Sequence, residues 1–349
     1  MEQRGDVDTR LKFTSDLLKI DAAREAERIE SGIQEAVFRQ LKCKGAVLGL
    51  SGGIDSSVAA ALCARALGKE RILGLLMPDS DSSPDSVRLG RLLANFLQVK
   101  AVLEDITPIL RAAGCYQRRD DAIRVIIPEY AAGYECKIVL PNLLEESAYS
   151  LYSVVVRSPA GLEIRARLTA EAYLGIVAAT SLKQRTRKMI EYYHADRLKY
   201  AVVGSPNRLE YDQGFFVKNG DGAADLKPIA HLYKTQVYQL AKYLGIPNEI
   251  QERQPTTDTY PLHQTQEEFY FVLPYEKMDI CLYARNHDIP ATDAAAATGL
   301  TVEQAQRVYR LIDSKRQATR HLHMHPLFVE EVSEVRSTIH APHSDLVST

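Results

Sequence analysis

The 349-residue chain lacks paired cysteines: Cys43, Cys63, Cys115, Cys136 and Cys281 are scattered, with no CxxC and no repeated spacing. That argues against a disulfide scaffold or a zinc knuckle and favours a reducing, cytoplasmic compartment. An excess of charge is also missing, since 43 Lys and Arg face 45 Asp and Glu for a formal net charge of −2. Such a chain has no global field with which to grip a nucleic-acid backbone. No apolar run approaches the ~20 residues that cross a bilayer. The opening MEQRGDVDTR is polar and charged, without the apolar centre of a secretory signal. The expectation is a protein with neither nucleic-acid nor membrane partners. Hydrophobic residues make up 46% and charged residues 25%, a composition that folds rather than staying disordered. The length suits about two domains or one large α/β domain with a sizeable core.

The first pattern is helical, with Ile29, Ile33, Val37 and Leu41 recurring every four residues. Residues Ala46 to Leu50 then form a short apolar run, the mark of a strand buried on both faces. Ser56 to Leu67 reads as an Ala-rich helix closed by Gly68, and Ile72 to Met77 as the next strand. Ser83-Pro84 is a cap followed by proline at a first helical position, and Val99 to Leu103 is a third strand. Alternating strands and helices predict an α/β fold: a doubly wound, mostly parallel, Rossmann-like sheet with ligands at the carboxyl ends of its strands. Residues 110–170 read as an insertion or oligomer element containing a hairpin, Val154–Arg157 against Leu162–Leu168. The α/β rhythm returns with a helix over Arg187–Leu198, a strand at Tyr200–Val203, a polar loop from Gly204 to Asp225, and a helix over Thr235–Leu244. The expected organisation is a helical segment at 1–45, the α/β domain at 46–290 and a helical C-terminal part at 291–349.

The candidate site is the loop Ser51-Gly52-Gly53-Ile54-Asp55-Ser56-Ser57, which runs from a buried strand into a helix. Its glycines allow close backbone approach, and the first amides of the helix suit an anion. Ser51, Ser56 and Ser57 add hydroxyls. Asp55 would repel bound phosphate unless a cation lay between them, so it implies Mg²⁺. The loop is not a Walker A sequence, since no GxxxxGK[ST] occurs.

SGGIDSS resembles the pyrophosphate loop of the N-type ATP pyrophosphatase superfamily, whose adenine nucleotide alpha hydrolase type of fold agrees with the strand pattern. Within it, GSPNRLEYDQGFFVKNGDGAADLKPIAHLYKT (204–235), KQRTR (183–187) and PTTD (255–258) resemble segments of the ammonia-dependent NAD synthetase family in the same order. The resemblance spans roughly residues 30–320. It implies adenylation of the carboxylate of deamido-NAD by ATP, release of pyrophosphate, then attack by ammonia to give NAD and AMP. It implies ATP contacts from Gly49, Leu50, Ser51, Gly52, Gly53, Ile54, Asp55, Ser56, Ser57, Ser205, Lys234, Thr256 and Lys315. Asp55 and Lys234 would be catalytic, Asp55 and Glu210 would ligate Mg²⁺, and Arg185, Lys218 and Asp225 would hold deamido-NAD. Members are usually homodimers. No glutaminase module is legible, so nitrogen would come from free ammonia or a separate glutaminase. The chain departs from the pattern at Ser205, at Ser314-Lys315-Arg316 where His-Lys-Arg is common, and over Tyr260 to Tyr275. Those departures keep two alternatives: a related amide ligase for a sugar or secondary-metabolite carboxylate, and a non-catalytic nucleotide- or DNA-binding protein.

Two further patterns invite other readings. Residues 294–310 scan like a helix-turn-helix, but the second helix has only Arg307 and Arg310 against Glu303, a poor basic face. His321, His323 and His325 alternate, and on an extended segment the three rings would share a face able to bind Zn²⁺ or Ni²⁺.

Overall fold

The computed structural model describes residues 13–139, 152–256, 259–271, 273–330 and 332. The first helix, α1 (Ala22–Gln34), begins under Asp21, whose carboxylate accepts from the Arg24 amide at 3.1 Å. It continues into a π-helical stretch, Glu35–Gln40. That wider turn suits the spacing of four that keeps Ile29, Ile33 and Val37 buried, while Leu41 emerges. Next come β1 (Ala46–Gly49), α2 (Ile54–Leu67), β2 (Ile72–Leu76), α3 (Pro84–Leu97) and β3 (Lys100–Leu103). Gly68 closes α2 at φ 89°, and the Ser83 hydroxyl caps α3 by accepting from the Asp85 amide at 3.3 Å.

After α4 (Thr107–Ala112) and α5 (Cys115–Arg124), the chain forms β4 (Glu135–Val139), β5 (Ser153–Arg157) and β6 (Glu163–Arg167). These strands make a separate antiparallel sheet in the order β4-β5-β6. The hairpin of the sequence reading is β5–β6, and β4 is an addition to it. This sheet has its own core, in which Ile138, Val154 and Val156 meet Ile123, Leu168 and Ile176.

A single long helix follows, α6 (Ala170–Leu198), starting well before the Arg187 expected from sequence. Thr169 caps it, its hydroxyl accepting from the Ala172 amide at 3.2 Å. The early turns of α6 lie against both α5 and the small sheet. Burial from two sides blurs a one-face stripe, and that hid this half from periodicity.

The remainder is β7 (Ala201–Val202), α7 (Arg208–Gln213), α8 (Lys234–Tyr243), α9 (Asn248–Gln251), α10 (Tyr275–Asn286), α11 (Ala291–Thr298) and α12 (Val302–His323). The principal sheet has the order β3-β2-β1-β7, and every pair in it is parallel. Alternation along the strands builds two layers. Ala46, Leu48 and Ala201 pack with Val58, Leu62, Val237 and Leu240 from α2 and α8. Val47, Leu73, Leu75 and Val202 face Ala195 and its neighbours on α6. The fold is therefore α/β, helices covering both faces of a parallel sheet, with a helical C-terminal region. The chain runs β1, β2, β3 outward in one direction and returns with β7 on the other side of β1. The crevice between β1 and β7 is thus the switch point at which such sheets bind ligands.

The α11–α12 pair matches the helix-turn-helix rhythm, with Gly299 at φ 68° between the helices. Val308 and Ile312 of α12 are spent on packing against Met278 and Leu282 of α10. The histidine reading needs correction. His321 and His323 lie in the last turn of α12, not on a strand, so helical geometry turns their rings apart. His323 packs edge-on against Tyr211 and Phe216, at 4.9 and 5.1 Å between ring centres. Among the described residues no group of three or more His, Cys, Asp or Glu is placed to hold a metal. No helix among them is long and apolar enough to cross a membrane.

Candidate active site

The Ser51–Ser57 loop leaves the end of β1 and turns into α2. Gly52 sits at φ 73°, a conformation that side chains resist, and a Cβ there would come within 2.7 Å of Leu89. Gly53 precedes the first turn of α2, so the free amides of that turn open towards the strand end. The hydroxyls brace the loop: Ser56 and Ser57 donate to the Gly53 carbonyl at 3.0 and 2.8 Å, and Ser51 shares a 3.0 Å hydrogen bond with Ser56. Gly49 and Leu50 lead into the turn, and Ile54 anchors the start of α2 in the core.

Asp55 points out of the first turn of α2 towards Lys234, with which it forms an ion pair. Its other oxygen accepts from the Asn207 side-chain amide at 3.0 Å. Asn207 also begins α7 by a reciprocal capping box, taking the Glu210 amide at 3.1 Å while the Glu210 carboxylate takes the Asn207 amide at 3.1 Å. The cap thus sets Glu210 beside Asp55. Burial first, and the Asp55 charge second, push the Glu210 carboxyl well above the usual carboxylate range. Burial works against the charge on Lys234, but Asp55 and Glu210 outweigh it and raise its pKa.

Lys234 stands at the first position of α8. Buried Asp279 of α10 accepts from the backbone amides of Lys234 and Thr235 at 3.3 and 2.7 Å, which fixes where α8 starts. The fully buried Lys234 ammonium is thereby held in an ion pair with Asp55 and within electrostatic reach of Glu210. An ion pair removed from water stands only with good geometry and further hydrogen bonds, and each carboxylate here has them.

Several side chains in this shell escaped the sequence reading. Gln266 donates to Glu210 at 3.2 Å and accepts from the Tyr275 hydroxyl at 2.8 Å. Both come from the 260–275 stretch that departs from the family pattern. Arg253 donates to the Ser51 carbonyl at 3.3 Å and to the Ser86 hydroxyl at 2.9 Å, so its charge abuts the phosphate loop. It lines a cavity of about 250 Å³ with Thr235, Tyr238, Pro255, Thr265 and Tyr275. The Asn207-to-Glu210 spacing was legible as a capping box; Arg253 and Gln266 carry no local signal.

The other expected residues divide. Ser205 is half-buried just past β7, and Thr256 forms an isolated bridge with Thr265. Thr257 and Asp258 of the PTTD segment lie outside the described residues. Arg185 reaches the Lys218 carbonyl at 3.2 Å, and the Lys218 ammonium reaches the His321 carbonyl at 3.0 Å at the end of α12. The Asp225 carboxylate accepts from the Val202 amide at 2.8 Å and from the Tyr192 hydroxyl at 3.2 Å, tying the loop to β7. Lys315 is half-buried against Tyr270, donates to the Tyr270 carbonyl, and does not join the Asp55–Lys234 pair. In the KQRTR segment, Lys183 is buried and binds Asp79 at 2.9 Å and Asp81 at 2.7 Å, while Arg187 binds Asp79 at 2.8 Å.

Comparison with known proteins agrees with this geometry. The family described as "NAD synthase" matches residues 25–126 and 162–322. The chain is 58% identical over 326 residues to the NH(3)-dependent NAD(+) synthetase of Rhizobium meliloti (strain 1021), covering 93% of this chain and 97% of that one. It is 56% identical over 320 residues to the protein of the same description from Rhizobium rhizogenes, covering 92% and 96%. Among solved structures, the NH3-dependent NAD synthetase from Campylobacter jejuni shares the fold with a TM-score of 0.59 at 23% identity, covering 89% of this chain and all of that one. Joined to these relatives by sequence along nearly its whole length, the chain belongs to the NAD synthase family.

Proposed function

We propose that the protein converts the carboxylate of deamido-NAD to the amide, consuming ATP and ammonia and releasing NAD, AMP and pyrophosphate. The observation that carries this reading is the Asp55–Lys234–Glu210 cluster at the edge of a glycine-serine phosphate loop. The acceptor carboxylate attacks the α-phosphorus of ATP, the bond to the β-phosphate breaks, and pyrophosphate departs against the amides of the Ser51–Ser57 loop. The Lys234 ammonium, held rigid by Asp55, meets the charge that develops on the phosphoryl oxygens. Ammonia then attacks the acyl carbon, and AMP leaves with the electron pair of the broken C–O bond. Rate comes from positioning and charge neutralisation, with no covalent enzyme intermediate.

The donor set suits Mg²⁺: two adjacent carboxylates, Asp55 and Glu210, face one lysine, and a hard cation takes one or two carboxylates plus phosphate oxygens and waters. Bound there, the ion would neutralise phosphate charge. Ser205, Thr256 and Lys315 are read as further ATP contacts, and Arg185, Lys218 and Asp225 as contacts of the dinucleotide. Homodimerisation is read along α6, where Leu174, Met189 and Tyr193 are 63%, 53% and 60% exposed on one face.

The test is incubation with Mg-ATP, ammonium and nicotinic acid adenine dinucleotide, following AMP and NAD together. Equal amounts of both are expected. Neither AMP nor NAD, with AMP appearing once another carboxylate is supplied, would mean a different acid is the acceptor, and ADP with orthophosphate would refute the chemistry.

A further inference from the structure

The β1–β7 crevice holds charged groups that neither the phosphate loop nor the Asp55–Lys234 pair uses. From the α6 side, Lys188 and Glu191 form a buried ion pair at 2.5 Å, with side chains 7% and 9% exposed. The pair lies under the end of β1, because a Cβ on Gly49 would sit 3.5 Å from a Glu191 oxygen. On the same face, from the β7 strand end, comes Lys227, one residue beyond the parallel bridge between Val203 and Leu226. A Cβ on Gly204 would meet its side chain at 3.5 Å, which places it at the end of β7. Val47 pairs with Val202, so Gly49 and Gly204 are neighbours across the sheet and the two lysines stand at the α6 face of adjoining strand ends.

Lys227 rests on aromatic faces, its ammonium 4.8 Å from the Tyr211 ring centre and 5.8 Å from that of Phe216. It lies within electrostatic reach of Lys188 and of Asp221, and burial together with Lys188 lowers its pKa. Arg187, the next cation along α6, is committed to Asp79. For folding alone this arrangement is costly. A buried Lys–Glu pair is commonly no more stable than the apolar residues that would fill its space, and a second ammonium nearby adds repulsion. An oxyanion entering between the two would remove that repulsion and take up the remaining donors of each lysine.

We propose that Lys188, held by Glu191, and Lys227 form an anion-binding pair at the β1–β7 crevice that grips an oxyanion of the acid substrate. The inference rests on the function proposed above. The triphosphate of ATP has the Ser51–Ser57 loop and Lys234 for its charge, so the pair serves the acceptor. Deamido-NAD presents two such oxyanions, its diphosphate and its carboxylate, and the chemistry that would recognise either is the same.

Kinetics of Lys227→Met, and of the paired replacement Lys188→Met with Glu191→Leu, test it in the full-length enzyme. The KM for deamido-NAD is expected to rise about ten-fold or more, the scale of a charge-assisted hydrogen bond, with the KM for ATP within about two-fold. Lys227→Arg, which keeps the charge, is expected to restore most of the loss. Product inhibition by NAD separates the two oxyanions, since NAD keeps the diphosphate and has lost the carboxylate. A parallel rise in its inhibition constant assigns the diphosphate, and an unchanged constant assigns the carboxylate. Unchanged KM for deamido-NAD in both variants, or equal losses for ATP and acceptor, overturns the pair. If the wild type makes no NAD, the function reading has failed on its own. The pair is then judged by a crystal of the wild type grown in sulfate: an anion bridging both ammoniums supports it, and bare ammoniums refute it.

Discussion

Replacing Lys315 with methionine tests how a half-buried amine against an aromatic ring shapes stability. The Lys315 ammonium lies 3.7 Å from the Tyr270 ring centre and 5.6 Å from that of Phe271, and burial alone lowers its pKa from 10.5 to about 7. The native pKa is thus below the unfolded one. Between the two values the unfolded chain binds more protons, so the free energy of unfolding rises with pH across that window. From pH 7 to about 9.5 the rise from this residue alone is about 3 kcal/mol at ~1.36 kcal/mol per pKa unit. The cation–π contact with Tyr270 favours the charged form by ~1 kcal/mol or more and brings the expected rise to about 2 kcal/mol. Methionine fills a similar volume and cannot titrate, so the difference between the two proteins isolates the residue from every other titrating group. Urea unfolding at both pH values measures it: the wild type is expected to gain about 2–3 kcal/mol relative to Lys315→Met on going to the higher pH. Parallel profiles would refute the reasoning, since Lys315 would then be equally protonated in folded and unfolded chains at both pH values.

Asp55→Asn is expected to abolish AMP release while circular dichroism stays native, because the amide keeps the volume and the Asn207 contact but no longer pairs with Lys234; unchanged turnover would remove Asp55 from the mechanism. Arg253→Ala deletes a charge that touches the Ser51 carbonyl and is expected to raise the KM for ATP about ten-fold with little change for the acceptor. Equal kinetics in the two proteins would make Arg253 a structural brace only. Gly90→Ala would set a Cβ 2.6 Å from the Leu50 carbonyl oxygen and 2.4 Å from Leu76, so a loss of about 1–3 kcal/mol in unfolding free energy is expected; a neutral result would show that α3 can slide off the strand end.

The parts legible in the sequence are those in which neighbours in the chain are neighbours in space. Ala46 to Ser57 runs strand, turn, helix without a break, so the period change, the glycines and the hydroxyls announce a phosphate loop at a strand end. The polar run Gly204 to Asp225 reads as loop yet contains α7, because the helix is short and polar; its local sign is the capping-box spacing of Asn207 and Glu210. The first half of α6 stayed hidden because its side chains meet both α5 and the small sheet.

By itself, the order of residues determined the α/β class, the Ser51–Ser57 loop at a strand end and, through resemblance, the family and the candidates Asp55, Glu210 and Lys234. Only the tertiary structure decided which charges share a space. It paired Lys234 with Asp55 beside Glu210, placed Arg253 against the loop, drew Gln266 and Tyr275 towards Glu210, tied Asp225 to β7, and brought Lys188 near Lys227 at the switch point. The physical reason is that electrostatic energy depends on separation and burial, and both are set by how distant segments pack, which no local pattern of residues records.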